Sequence, residues 1–237
     1  MKALIIAAVM AMLSLGSAPL MAASSGVALD HFEVDLRDQA SLQRGAQIFT
    51  NYCLSCHSAS LMRYNRMAKD LGISEELVIE NLMFTTDKIG NTMDVAMRPE
   101  DAKKWFGVTP PDLSVIARAR GTDWLYSYLR HFYLDDTRPM GTNNPFLVNA
   151  SMPHVLWEQQ GFLEKDLETG EMTVVREGEL TPHQYDEYVG DLVNFLAYIS
   201  EPSKLQRLAL GKWVLLYLAL FFVIALALKK AYWKDVH

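Results

Sequence analysis

Cysteine is scarce: the 237-residue chain has two, Cys53 and Cys56. A pair three positions apart braces nothing by an ordinary bridge, so a disulfide-stapled scaffold is excluded. Basic residues are also in deficit, 22 Lys and Arg against 28 Asp and Glu, for a net charge of −6. This argues against nucleic acid as a partner, because affinity for phosphates is supplied by clustered cations. Glycine (13) and proline (9) are few, while 5 Trp, 10 Tyr and 10 Phe supply material for a core, which excludes a disordered chain. Apolar residues are what the chain has in excess. At 50% hydrophobic and 21% charged it is too apolar for a plain soluble domain and too charged for a polytopic membrane protein.

That excess sits at the two ends. Residues 1–23 open with Lys2, run apolar from Ala3 to Leu15, break at Gly16, Ser17 and Pro19 and finish Met21-Ala22-Ala23, the layout of a secretory signal peptide. The apolar stretch is too short to span hydrocarbon, which takes about 20 residues. At the other end, Leu208 to Leu228 carries one charge, Lys212, and is apolar on every face, so it reads as a transmembrane anchor rather than a core helix. Lysines and arginines flank it equally and set no orientation. Export of the body does, leaving the tail in the cytoplasm. The expected organisation is a signal peptide (1–23), a periplasmic domain (24–203), a linker and anchor helix (204–228) and a cytoplasmic tail (229–237). The periplasmic domain holds 15 Lys and Arg against 27 Asp and Glu, a field suited to steering a basic partner.

Within 24–203 no repeat or low-complexity tract appears, and helical signals dominate. Ser41 is placed to cap a helix from Leu42 to about Tyr52, with Gly45 leaving room for a close neighbour. Thr181 as N-cap with Pro182 at the first position predicts a helix through Tyr185, Val189, Leu192, Val193 and Leu196 that stops before Pro202 and packs on the first helix or the body. Shorter helices are expected over 74–83 and 123–133, and one arm of a hairpin over 172–175. The stretch from Asp135 to Met152, dense in turn formers, reads as a long functional loop.

The chemistry centres on Cys53-Leu54-Ser55-Cys56-His57. C-x-x-C-H is the attachment sequence for c-type haem: two thiols at this spacing can each add to a haem vinyl group, and the adjacent imidazole can reach the iron. A thioredoxin-like dithiol would need a strand before the motif, and structural zinc would need further cysteines. A sixth ligand is then sought among Met62, Met67, Met83, Met93, Met97, Met140, Met152 and Met172 and the histidines His31, His131, His154, His183 and His237. Met140 follows Pro139 and Met152 precedes Pro153, and proline restricts the dihedrals of its neighbours. The residues alone leave Met152, Met140 and a histidine open. Thr109-Pro110-Pro111-Asp112-Leu113-Ser114 is a rigid non-helical segment, and Arg118 and Arg120 just beyond it are candidate cations for haem propionates.

Several segments together resemble cytochrome c1, the haem-c subunit of the ubiquinol-cytochrome c reductase (cytochrome bc1) complex, of the bacterial type. They are His31-Phe32-Glu33-Val34-Asp35, Gln43-Arg44-Gly45-Ala46-Gln47, the C-x-x-C-H, Met62-Arg63-Tyr64-Asn65-Arg66, Pro110 to Ser114, Arg118-Ala119-Arg120, Ser151-Met152-Pro153 and the ending Trp233-Lys234-Asp235-Val236-His237. The resemblance implies a mainly α, cytochrome c-like domain with a single C-terminal transmembrane helix and one covalent haem c. It implies Cys53 and Cys56 as thioether donors, His57 and Met152 as axial ligands, and Arg120 near a propionate. It also implies one-electron transfer from the Rieske iron-sulfur protein to a c-type cytochrome, with cytochrome b as a further partner, in a dimeric complex of the bacterial inner membrane, with no bond-making chemistry in this subunit. The family often follows its methionine with several prolines, whereas here the chain reads Pro153-His154-Val155, and segment 161–179 matches nothing assignable. The competing expectations are an anchored haem-c subunit of another oxidase or dehydrogenase, and a haem sensor or peroxidase with an open iron site.

Overall fold

The computed structural model describes residues 27–166 and 168–234; the signal-peptide reading and His237 lie outside them. Helix α1 (Gln39–Ile48) begins at Asp38, whose carboxylate accepts the Ser41 amide at 3.0 Å. The cap is therefore Asp38, not Ser41. Ser41 is buried instead, and its hydroxyl accepts from Asn194 Nδ2 at 2.8 Å. The α-helix also ends earlier than expected, giving way over Phe49–Cys53 to π geometry.

After the cysteines come β1 (Ala59–Arg63), α2 (Tyr64–Leu71), α3 (Glu75–Asn81), β2 (Thr92–Met93), α4 (Pro99–Phe106), α5 (Ile116–Arg120) and α6 (Thr122–Arg130). Then follow β3 (Tyr133–Leu134), β4 (Thr142–Asn143), α7 (Trp157–Gln160), β5 (Gly161–Lys165), β6 (Met172–Glu177), α8 (Pro182–Ser200) and α9 (Lys204–Tyr232). The strands form three separate antiparallel pairs, β1 with β2, β3 with β4 and β5 with β6. The helix expected over 74–83 is α3, capped by Ser74 and ending at Asn81, and the hairpin arm falls on β6. Short helices α2, α4 and α5 and the first two strand pairs are additions to the expectation.

Helix α8 forms as its sequence dictates. Thr181 and Gln184 make a reciprocal capping box, Pro182 occupies the first turn, and Tyr185, Val189, Leu192, Val193 and Leu196 are buried. It lies against α1, and Gly45 sets how closely. A Cβ at that position would stand 2.1 Å from the Asp191 carbonyl oxygen and 2.7 Å from Phe195 Cβ, so no other residue permits this approach. Arg44 closes the crossing with a two-pronged pair to Asp191 at 2.5 and 2.8 Å. Around this crossing, Phe49, Leu54, Tyr64, Phe132, Phe195 and Leu192 are almost wholly buried, each such side chain contributing about 1.5–3 kcal/mol of transfer free energy. Arg130 of α6 ties the chain's early extended segment to α8, reaching Asp30 at 2.6 Å and Asp186 at 2.7 Å.

Helix α9 is different in kind. None of its residues is buried, and its apolar window has a mean hydropathy of 2.2. It starts at Lys204 itself, so the stretch expected as linker is already helical. Its 29 residues reach about 44 Å at 1.5 Å per residue, enough to cross a bilayer.

Candidate functional site

One apolar cavity of about 350 Å³ lies between residues 52–57 just past α1, the helices α6 and α8 and the segments 106–120 and 147–155, and both expected donor groups open into it. Cys53, Cys56 and His57 line one side, and Met152 lines it from the loop after β4. Arg120 also reaches its wall. Among the described residues, Met140, His31, His131, His154 and His183 do not line it. Met62, Met67, Met83 and Met93 are buried core side chains.

The cysteine side is built locally. Where α1 turns to π geometry, the Leu54 amide bonds back to the Phe49 carbonyl at 2.9 Å, and the extra residue per turn swings Cys53 inward. The Cys53 carbonyl then accepts two amides, from Cys56 at 3.0 Å and His57 at 2.8 Å, which winds the motif into a tight turn and brings both thiols to the cavity. Burial, with Cys56 beside it, pushes the Cys53 thiol up to about 12.

His57 is aimed by the Pro-Pro-Asp-Leu-Ser segment. Its Nδ1 lies 2.7 Å from the Pro111 carbonyl oxygen. A carbonyl only accepts, so Nδ1 carries the proton and Nε2 keeps its lone pair for a metal. The carbonyl is itself held in place by a clamp onto the chain just past the motif. The Leu113 amide donates to the Ser58 carbonyl at 2.8 Å, the Ser60 amide to Asp112 at 2.9 Å, and the Leu61 amide to Ser114 Oγ at 3.0 Å. Burial opposes charge on Asp112, but hydrogen bonds from Ser114 and Ser60 outweigh it and hold its carboxyl below the usual range. Burial likewise lowers the His57 imidazole below its ordinary value, the Pro111 carbonyl and Asp112 working against it, so the neutral, ligating form is favoured.

The methionine side is held from a distance. Tyr128 of α6 places its hydroxyl 3.6 Å from Met152 Sδ, and its own backbone carbonyl accepts Asn144 Nδ2 at 2.7 Å. Asn144 is wholly buried and also accepts the Phe146 amide at 3.0 Å. Asn143 Oδ1 takes the amides of Asn144 and Asn149, both at 2.9 Å, while its amide group donates to Asp135 at 2.8 Å. Among the described residues Asn149 is the one non-glycine with positive φ, 64°, a value asparagine tolerates. His154, beside the methionine, is buried away from the cavity and stacks on Phe132 with ring centres 5.2 Å apart. The Arg120 guanidinium is exposed, 5.0 Å over the Trp124 ring, free to meet an anion at the cavity mouth. Sequence reading missed Tyr128, Trp124 and the two asparagines. Asn143-Asn144-Pro145 signalled a turn but not an anchor.

This donor set fits a haem. Two thiols and an imidazole with a free lone pair occupy one part of an apolar cavity, a thioether enters from another, and a cation stands at the mouth. The fold and site thus define a membrane-anchored c-type cytochrome.

Comparison with known proteins makes the class specific. The profile described as the Cytochrome C1 family matches residues 31–236. A cytochrome c1 of Allochromatium vinosum is 50% identical over 95% of this chain and 96% of its own length. A Nitrosomonas europaea protein named ammonia monooxygenase gamma subunit is 47% identical over 93% of this chain and 94% of its own length. A cytochrome c1 of Rhodospirillum rubrum is 28% identical over 84% of this chain and 83% of its own length. The chain belongs to the cytochrome c1 family. It carries one covalently bound haem c and serves as an electron carrier of the cytochrome bc1 type, attached to the membrane.

Proposed function

We propose that Cys53 and Cys56 form the thioether links to the haem, that His57 Nε2 and Met152 Sδ are its axial ligands, and that Arg120 pairs with a propionate. The observation that carries this is the convergence of those side chains on one apolar cavity. When bound, the haem supplies a one-electron ferric/ferrous couple, which a methionine ligand biases toward the ferrous form. The chain's own residues do the rest. Pro111 fixes the imidazole tautomer, the loop 143–152 presents the thioether, and apolar walls such as Leu125, Leu129 and Leu196 keep water from the site. With His57 and Met152 both holding the iron, the bound haem would offer oxygen and peroxide no open coordination site, which speaks against a sensor or peroxidase.

The electron donor in this reading is the Rieske iron-sulfur protein and the acceptor a c-type cytochrome, with cytochrome b as the neighbouring membrane subunit and the assembly dimeric. The signal-peptide layout of residues 1–23 puts the haem domain in the periplasm and residues 229–237 in the cytoplasm, with α9 crossing the inner membrane. The acid excess over residues 24–203 speeds encounter with a basic acceptor, so raising ionic strength slows that transfer.

Purification of the full chain from membranes in mild detergent tests the reading. Expected are a c-type and a b-type band in the difference spectrum, co-purifying Rieske protein, and no carbon monoxide binding to the ferrous c-type haem. Co-purification with subunits of an oxidase, a dehydrogenase or a monooxygenase in place of cytochrome b would assign the chain to another complex.

A further inference from the structure

Met152 has an attachment beyond its own loop, through Tyr128. The hydroxyl lies 3.6 Å from Met152 Sδ, and among the described residues that sulfur is its one hydrogen-bond partner. The phenol has little freedom to leave. Tyr128 is 6% exposed, its ring is stacked 4.8 Å from Trp124 at 9° and meets Phe132 edge-on at 5.0 Å. The same residue holds the methionine's loop by its other end, because its backbone carbonyl accepts Asn144 Nδ2. One helical residue therefore fixes both the loop and the thioether the loop presents.

We propose that Tyr128 is a positioning residue for the distal ligand: its hydroxyl donates to Met152 Sδ, locks the side-chain rotamer and raises the reduction potential above what the thioether alone would give. This rests on Met152 being a ligand. A thioether sulfur has two lone pairs, so one can bind iron while the other accepts the phenol. The hydrogen bond draws electron density from the sulfur and makes it a poorer donor. The ferric state, which needs donation more, loses more than the ferrous.

The test uses the full-length haem-loaded protein in detergent, comparing wild type with Tyr128→Phe, which keeps the ring and removes the hydroxyl. Expected is a shift of the ferric/ferrous equilibrium toward ferric by about three- to tenfold, at about 59 mV per tenfold for one electron. A displaced near-infrared methionine band and easier displacement of Met152 by added imidazole accompany it. An unchanged potential, band and imidazole affinity overturn the proposal. Tyr128→Leu removes ring and hydroxyl together, and its potential is expected to match that of the Phe variant; a shift seen only with Leu makes packing the cause and overturns the proposal. In Met152→Leu the band is expected to vanish. Its survival overturns the ligand assignment itself, an outcome distinct from failure of the Tyr128 role.

Discussion

On one side of the cavity three donor side chains come from five consecutive residues, Cys53 to His57, wound on a single carbonyl. On the other, the proposed fourth donor, Met152, arrives after four strands and five helices, on a loop whose position is set by Asn143, Asn144 and Tyr128. The two thiols of the first side keep their geometry for as long as a few adjacent turns stay folded, and only the imidazole leans on a distant segment, through Pro111. The second keeps it only while α6 and the loop remain docked. A covalent bond to the cofactor belongs where local structure is sufficient, and an adjustable ligand belongs where tertiary packing can tune it.

The sharpest way to break that comparison is to remove the local side. Cys53→Ala with Cys56→Ala is expected to abolish covalent haem, read as loss of haem-stain signal on a denaturing gel against an immunoblot loading control. Met152→Ala should leave that signal intact, because attachment does not depend on the loop. It is expected to remove the near-infrared methionine band, open the iron to carbon monoxide and lower the midpoint potential, since a methionine ligand raises it. If Met152→Ala also lost covalent haem, the two sides would not be independent.

The same contrast explains what could be read from sequence. The motif Cys53 to His57 and helix α8 were legible because their signals are local: a spacing for one, and for the other a capping Thr181, Pro182 and a terminating Pro202. The choice between Asp38 and Ser41 as cap was not legible, because both residues cap well and the decision is made by Asn194, which claims the Ser41 hydroxyl from across the molecule. Met140 and Met152 both neighbour proline. Only the pairing of β3 with β4 shows that the turn between them carries Met140 away from the cavity. Tyr128 falls inside the helix expected over 123–133 with no local signal to single it out, and its part in the site depends on what packs across from it. Helix α4, by contrast, was readable and overlooked, with Pro99 at its start, Glu100 and Asp101 in the first turn and Lys103 and Lys104 in the last.

A smaller effect is expected from the support shared by both sides, the crossing of α1 and α8. Gly45→Ala forces a methyl group against the Asp191 carbonyl, and overpacking of this kind costs about 3 kcal/mol. Thermal unfolding followed by far-ultraviolet circular dichroism should show a lowered midpoint. An undiminished midpoint would mean that the crossing relaxes and that the glycine is not what fixes it.

The finest discrimination comes from Asn144→Ala. The change leaves the Phe146 amide without its partner and the Tyr128 carbonyl with only the long bond from the His131 amide, in a buried site, at about 2 kcal/mol. Because the Asn144 side chain hydrogen-bonds to the loop and to α6, that loss should fall on the methionine side alone: covalent haem and the Pro111–His57 bond persist, while imidazole displaces Met152 at a lower concentration than in wild type. The comparison is decided by the ratio of the two effects. If imidazole affinity rises by a factor matching the whole loss of unfolding free energy, at tenfold per about 1.4 kcal/mol, the loop is held by tertiary contacts and little else. If stability falls with no change in imidazole affinity, Met152 is held by its own short segment, and the two sides of the cavity are alike after all.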